Sequence, residues 1–528
     1  MDREQFRKAG YAAVDRICDY FENIESYDVV SKVQPGDIAK LIAESAPENG
    51  EAWDDIAKDF DRVILPGITH WQHPNFFAYF PANTNYESIL ADMYAGAVSN
   101  PGFNWLCSPA CTELESVVTD WFAKLLGFNK SWLNAGKVAG GIIQGSASES
   151  CLTACIAARE RYLRLNPGTP AEELNVVATT QTHSLGAKAA LILGLKFHAI
   201  ETKKEDDWAL RGDLLRSELE KLEKEGKKPF ILVATIGSTS TGAIDNIPEI
   251  TAVTADFPSL FVHIDSAWAG VFLSLPECRQ EAYLDAINAL ASPDQAGGPG
   301  IVHSFCTNAH KSGLVMFDAS FLWVRDRTLL TSALDVTPPF LRTPQASAGL
   351  VTDYRNMQLA LGRRFRSLKV WFVLRSYGTT GFQRHLRRLN DLAVVFENKI
   401  KQGAIEGVEL FSPRRFALVV IRARALSSAG VSSDQLAAYE NALNAHIIAL
   451  ANQDHSVMLT PTTVGGENCV RIALGSPKVE ERHIDGLVEK LKTLVARARE
   501  ETKLETEQGD EERAVKRAKV DVEDAAAA

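Results

Sequence analysis

The stretch SFCTNAHKSGLVMFD, residues 304–318, sets Lys311 beside His310 in the most apolar part of an acidic chain. A lysine is ordinarily a surface residue, and burying its charge unpaired is costly. Such an amine can instead be carried as an imine with a carbonyl cofactor. The alternative is a short loop whose polar pair faces water. Asp265 ends a second apolar run, LFVHID, and is followed by the small residues Ser266 and Ala267. A carboxylate there needs a positive partner. A protonated pyridine nitrogen would serve, and the carboxylate would keep that ring an electron sink. A cleft-edge carboxylate or a helix cap fits the same residues. In GGIIQGSASES, residues 140–150, glycines precede Ser146, Ala147 and Ser148, and a helical pattern follows. Free amides at a helix start, with two hydroxyls, suit a phosphate. A serine cap with Glu149 explains them as well.

One molecule carries an aldehyde, a ring nitrogen and a phosphate together: pyridoxal 5'-phosphate. His183 could stack on its ring, and Thr235, in VATIGSTST, could touch its phenolic or phosphate edge. The elements that must position these groups are legible as apolar runs. ELNVVATT, FILVATIG, LFVHID and GIVHSFCT alternate with helical segments such as HSLGAKAALILG. Near-continuous apolar strands separated by helices predict an α/β fold with a mostly parallel sheet covered on both faces. In such sheets ligands lie at the carboxyl ends of the strands, where His183, Asp265, His310 and Lys311 fall.

Four segments are expected. Residues 1–84 read as broken helices ending in the aromatic loop HWQHPNFFAYFP, which either lines something apolar or forms a satellite cluster. Residues 85–384 form the large α/β domain. Residues 385–496 form a small α+β domain with RRFALVVIRA and NCVRIALG as strands. Residues 497–528 form a charged, disordered or helical tail.

The chain has 528 residues, enough for two or three subdomains. Its formal charge of −11 speaks against a nucleic-acid partner. The first residues lack the apolar core of a signal peptide, and no apolar run reaches the roughly 20 residues of a membrane span. Eight cysteines in so long a chain are no disulfide scaffold. The pairs Cys107/Cys111 and Cys151/Cys155 have no histidine at zinc spacing, so no metal is expected, and buried free thiols in a reducing cytosol are the reading.

Six segments carry a resemblance: HPNFFAYFP, GFNWLCSPACTELE, IQGSASES, HIDSAWAG, NAHK and LGRRFRSLKVWFVLRSYG. From residue 1 to about 490 the chain resembles the pyridoxal-phosphate-dependent group II decarboxylases, and most closely their aromatic L-amino-acid branch. That branch holds DOPA, tyrosine and tryptophan decarboxylases and aromatic aldehyde synthases. The resemblance implies fold type I of the pyridoxal-phosphate enzymes, the aspartate aminotransferase-like fold, and Lys311 as the Schiff-base lysine. It places Asp265 on the ring nitrogen and His183 over the ring, with a part in proton transfer. Ser146, Ala147 and Ser148 fall at phosphate positions, with Asn308 and His310 beside the lysine. Trp71, Tyr79, Phe80, Pro81, Phe103, His183, Phe317 and Gly362 match substrate positions. Gly362 leans slightly toward tolerance of an indole. A cytoplasmic homodimer with composite sites is implied, its N-terminal arm packed on the partner subunit.

Two departures stand out. Ser312 and Gly313 follow the lysine where relatives have tryptophan, and the loss of volume predicts a looser corner. Phe340, in DVTPPFLRTP, stands where relatives carry a loop tyrosine thought to protonate the carbanion left after CO2 departs. Phenylalanine has no proton to give. The same replacement is typical of plant aldehyde synthases, which use dioxygen and release aldehyde, ammonia and hydrogen peroxide. That product is expected here, with simple decarboxylation to the amine as the alternative. Glutamate and cysteine-sulfinate decarboxylases would want basic residues where this chain has aromatics.

Overall fold

The computed structural model describes residues 1–290, 300–427 and 432–502, so the expected tail lies outside the described residues from 503 onward. Two compact units divide the chain: Ala82–Ala393 with Ser412–Val419, and Met1–Pro81 with Val394–Phe411 and the described residues from Val420 onward. The segment expected as a separate arm therefore shares a unit with the C-terminal sheet.

The larger unit is built on seven strands: β1 Gly140–Gln144, β2 Leu174–Thr179, β3 Lys196–Ile200, β4 Lys228–Thr235, β5 Phe261–Asp265, β6 Ser304–Asn308 and β7 Ser320–Val324. Their order is β1-β7-β6-β5-β4-β2-β3. Strands β3, β2, β4, β5 and β6 run parallel. β7 is antiparallel to both β6 and β1, so the sheet is mixed and mostly parallel. The predicted apolar runs are β2, β4, β5 and β6, and β2, β5 and β6 are buried along their whole length. Burial on both faces is what selects an unbroken apolar run over an alternating one. β3 is the exception. It lies at the sheet edge with Lys196 and Phe197 exposed, as an edge strand tolerates.

The helix Ala147–Leu165 packs against this sheet through Cys151, Ala154, Cys155 and Ala158, all fully buried. Their i, i+3, i+4, i+7 spacing makes a stripe of small side chains on one helix face. Enlarging one of them, as in Ala154→Leu, would overpack the contact by about 1–3 kcal/mol. Of the eight cysteines, Cys18 and Cys107 are exposed. For Cys107 this corrects the buried helical pair with Cys111. The helix Pro109–Leu126 begins only after its N-cap Ser108, which leaves Cys107 in the preceding loop.

The other unit carries the sheet β8 Val408–Leu410, β9 Leu418–Ala423, β10 Thr460–Val464 and β11 Glu467–Ala473, ordered β10-β11-β9-β8. The predicted strands RRFALVVIRA and NCVRIALG are β9 and β11, and residues 481–502 are helical. The N-terminal helix Arg3–Glu22 opens with a capping box between Asp2 and Gln5. The aromatic loop buries Phe76 and Phe77. The Phe77 amide donates to the Met458 carbonyl at 3.0 Å, and the Ala473 amide donates to the Phe77 carbonyl at 3.0 Å. Those bonds fix the loop against its own unit's sheet.

Candidate active site

Strand pairing assembles the centre of the site. Register sets Thr235 opposite Asp265, and Asp265 opposite Cys306, in one row across β4, β5 and β6. In-register residues of parallel neighbours share a face, so these side chains converge at the carboxyl edge of the sheet. Asp265 is only 4% exposed. Its Oδ1 accepts the Ala267 amide at 3.0 Å and faces the Cys306 thiol at 3.8 Å. Burial pushes its carboxyl upward, against the Lys311 ammonium, the Ala267 amide and His183. A carboxylate so placed gains by meeting a cation. Thr235 is buried, with its amide bonded to Asp245 at 2.7 Å and its hydroxyl 3.3 Å from that of Thr182.

His183 sits in the turn between β2 and the helix Leu185–Leu193. Its Nδ1 accepts the Leu185 amide at 3.3 Å, which leaves the proton of the neutral ring on Nε2. Loss of solvation lowers its basicity, Asp265 opposes that, and Lys311 adds to it. The ring is therefore less basic than a free imidazole, although the residue is exposed.

Ser146 follows β1 and caps the helix Ala147–Leu165, its Oγ accepting the Glu149 amide at 3.2 Å. The Ala147 and Ser148 amides, in the first turn, have no intrahelical acceptor by geometry. Glu149 reaches back to the Gly145 amide at 2.9 Å. A Cβ on Gly145 would stand 3.1 Å from Glu149 Oε2 and 3.2 Å from Asp318 Oδ2, so an added methyl would press on both carboxylates. Beneath it Asp318 pairs with Arg366 at 2.8 Å. Lys369 is buried 3.9 Å from both Asp318 and Asp92, and burial lowers its ammonium to about 8. Sequence reasoning missed this ion cluster. Asp318 lies inside the quoted lysine stretch, but nothing in the spacing pairs it with Arg366.

The lysine stands in a turn after β6. Its amide donates to the Asn308 carbonyl at 3.2 Å, and the Asn308 amide donates to Ala267 at 2.9 Å. The Asn83 side chain holds the Lys311 carbonyl at 2.7 Å. His310 is buried, its Nδ1 accepting the Ala319 amide at 2.8 Å, and burial lowers its pKa to about 3. It is a neutral ring with its proton on Nε2. The expected loosening after the lysine is not found. Ser312 is buried, and a Cβ on Gly313 would lie 2.7 Å from the Ala309 carbonyl oxygen. The smaller residues let the turn fold tightly onto its own backbone, which a larger side chain at 313 would prevent.

The cofactor candidates Ser146, Ala147, Ser148, His183, Thr235, Asp265, Asn308, His310 and Lys311 thus share one sheet edge. Phe317 joins them edge-on to His310, ring centres 4.8 Å apart, and is 59% exposed. Phe103 is half-buried in a loop, and Phe340 is 81% exposed in the turn Pro339–Leu341. Gly362 lines a cavity of about 480 Å³ with Asp92, Pro101, Arg364 and Lys369. In the other unit Trp71 stacks on Tyr79 at 5.6 Å, and the Arg471 guanidinium lies over Phe80 at 4.7 Å. Pro81 packs where a Cβ on Gly475 would meet it at 2.8 Å.

Residues 35–424 match the pyridoxal-dependent decarboxylase conserved domain. The chain is 38% identical over 487 residues to a phenylacetaldehyde synthase of Arabidopsis thaliana, covering 92% of this chain and 94% of that protein. It is 37% identical over 490 residues to tryptophan decarboxylase 2 of Oryza sativa subsp. japonica, covering 92% and 93%. Among solved structures, Oryza sativa TDC with PLP and tryptamine superposes with a TM-score of 0.86 at 32% identity, covering 94% of this chain and 99% of that one. The residues present fit the phosphorylated pyridine aldehyde. Asp265 is a buried carboxylate at the sheet edge, and the buried Asn308 Oδ1 has no hydrogen-bond partner among the described residues. The helix start offers amides and hydroxyls for a phosphate.

Proposed function

Because the chain belongs to the pyridoxal-dependent decarboxylases, in their aromatic amino-acid group, we propose that it is an aromatic aldehyde synthase. It would convert an aromatic L-amino acid, dioxygen and water to the aryl acetaldehyde, CO2, ammonia and hydrogen peroxide. Bound at the sheet edge, pyridoxal 5'-phosphate supplies the electron-accepting ring that lets the carboxyl group leave.

Lys311 is the amine that holds the cofactor aldehyde covalently. Asp265 keeps a proton on the ring nitrogen, since a buried carboxylate beside a cation favours the charged pair. Ser146, Ala147 and Ser148 take the phosphate by hydroxyl and amide, with Asn308 and His310 beside Lys311. His183, with its proton on Nε2, would stack on the ring and could move that proton at the reacting carbon. Thr235 would meet the ring's phenolic or phosphate edge. Phe103, Phe317 and Gly362 are the substrate positions of the larger unit, and Trp71, Tyr79, Phe80 and Pro81 are those that the aromatic loop supplies. The protein works as a cytoplasmic homodimer with composite sites. In support of that reading, the helix Tyr86–Val98 exposes Leu90, Met93, Tyr94 and Val98, an apolar face suited to a second copy.

Phe340 carries the choice of product. Its ring has no dissociable proton, so Phe340 could not return a proton to the substrate carbon after CO2 loss, and the oxidative outcome would follow. Simple decarboxylation to the amine is the second reading, favoured by identity to a tryptophan decarboxylase nearly equal to that with the synthase. Amine, aldehyde and peroxide measured from phenylalanine, tyrosine, DOPA and tryptophan decide between them. Aldehyde and peroxide in equal amounts are expected, and Phe340→Tyr moves product toward amine. Stoichiometric amine without peroxide overturns the oxidative reading.

A further inference from the structure

The carboxylate of Asp265 has a neighbour that the proposed chemistry does not use. Cys306 is fully buried on β6, directly opposite Asp265 in the strand register, with Sγ 3.8 Å from Oδ1. It belongs to a thiol cluster with Cys151 and Cys155 of the helix Ala147–Leu165. The backbone around it is committed: its carbonyl accepts the Ser266 amide at 3.0 Å. Among the described residues Oδ1 accepts one amide, that of Ala267, and a carboxylate oxygen has capacity for a second donor.

We propose that Cys306 is a positioning residue whose thiol donates to Asp265 Oδ1, holding that carboxylate ionised and aimed at the ring nitrogen of the bound cofactor. The inference rests on the cofactor reading above. Burial keeps the thiol protonated, well above its ordinary range, so it remains a donor throughout the working pH range. The other groups bearing on Asp265 are Lys311 and His183 from the loops, the Ala267 amide, and Cys151 from the packed helix. Each remains when Cys306 alone is changed.

The test uses full-length protein carrying Cys306→Ala, Cys306→Ser or, as a packing control in the same cluster, Cys151→Ala. The dissociation constant of pyridoxal 5'-phosphate and the pH dependence of its bound visible absorbance are measured without substrate. Cys306→Ala should weaken cofactor binding by about threefold to fivefold, the worth of one S–H···O contact. It should also move the acid limb of binding to higher pH, because Asp265 without its donor takes up a proton more readily. Cys306→Ser should restore both through its hydroxyl, and Cys151→Ala should change neither. Equal behaviour of Cys306→Ala and the unaltered protein overturns the proposal, as does equal impairment in all three variants. Should Cys306→Ala fail to fold, Cys306→Thr and Cys306→Val differ by a hydroxyl at similar volume, and indistinguishable acid limbs overturn it. A visible band that survives Lys311→Ala refutes the cofactor reading itself, whatever Cys306 does.

Discussion

Gly313→Ala tests the turn that presents Lys311. The added Cβ would lie 2.7 Å from the Ala309 carbonyl oxygen, 2.9 Å from its Cα and 3.1 Å from Val271 Cγ1. Two of the three neighbours are backbone, so no side chain can swing away to relieve the contact. Reaching an ordinary 3.4 Å separation from the oxygen requires the chain to move by about 0.7 Å, the difference between 3.4 and 2.7. Overpacking of this kind costs about 1–3 kcal/mol. The displaced segment carries Lys311, and misplacing a reacting group by about 1 Å can cost on the order of 100-fold in rate. The expected result is a lower Tm together with a loss of about tenfold to 100-fold in kcat/KM. The assays are thermal denaturation with and without cofactor and steady-state kinetics on an aromatic amino acid. Ser312→Ala, which adds no atoms to the same turn, should stay close to the unaltered protein. If Gly313→Ala keeps both its Tm and its kcat/KM, the close approach does not position the lysine.

Glu115 receives both the Arg363 guanidinium and the Ile143 amide of β1, and its side chain and that of Arg363 are almost fully buried. Arg363→Met should destabilise by about 3–5 kcal/mol, because it strands a buried carboxylate, and chemical denaturation reads the loss. His263, His303, His310 and His385 are each lowered by burial to about 3. Below the ordinary imidazole pKa of about 6.5 the unfolded chain takes up protons that the folded chain refuses. Stability is therefore full above that pH and falls as pH drops toward 3, by at most about 1.4 kcal/mol per pH unit for each group. His385→Gln should flatten the slope of a pH series of denaturation midpoints, and an unchanged slope refutes the assignment. Ser146→Ala removes a helix cap and the proposed phosphate ligand; it should lower stability by about 1 kcal/mol and weaken cofactor retention in gel filtration.

What the sequence revealed follows from which interactions are local. The strands ending in Thr235, Asp265 and Asn308 were legible because a sheet buried on both faces demands uninterrupted apolar runs, and a polar residue closing such a run stands out. Lys311 and the Ser146 turn were legible for the same reason. Cys306 was not, because its partner Asp265 lies 41 positions earlier and meets it only through register. The ion cluster of Asp318, Arg366 and Lys369 likewise exists only in three dimensions. Gly313 was misread because lost side-chain volume resembles looseness until backbone takes up the space. Cys107 was misread because a spacing of four counts as helical only when both residues lie inside the helix.

The sheet order also bears on when the protein can begin to function. β1, which leads into the Ser146 turn, has β7 as its one neighbour among the described strands, pairing Gly140 with Val324. On a ribosome the first strand therefore waits, unpaired, until the last has emerged. Chains truncated before β7 should lack a settled phosphate cradle even with their lysine already synthesised. Vitamin capture would then report that the whole sheet is complete.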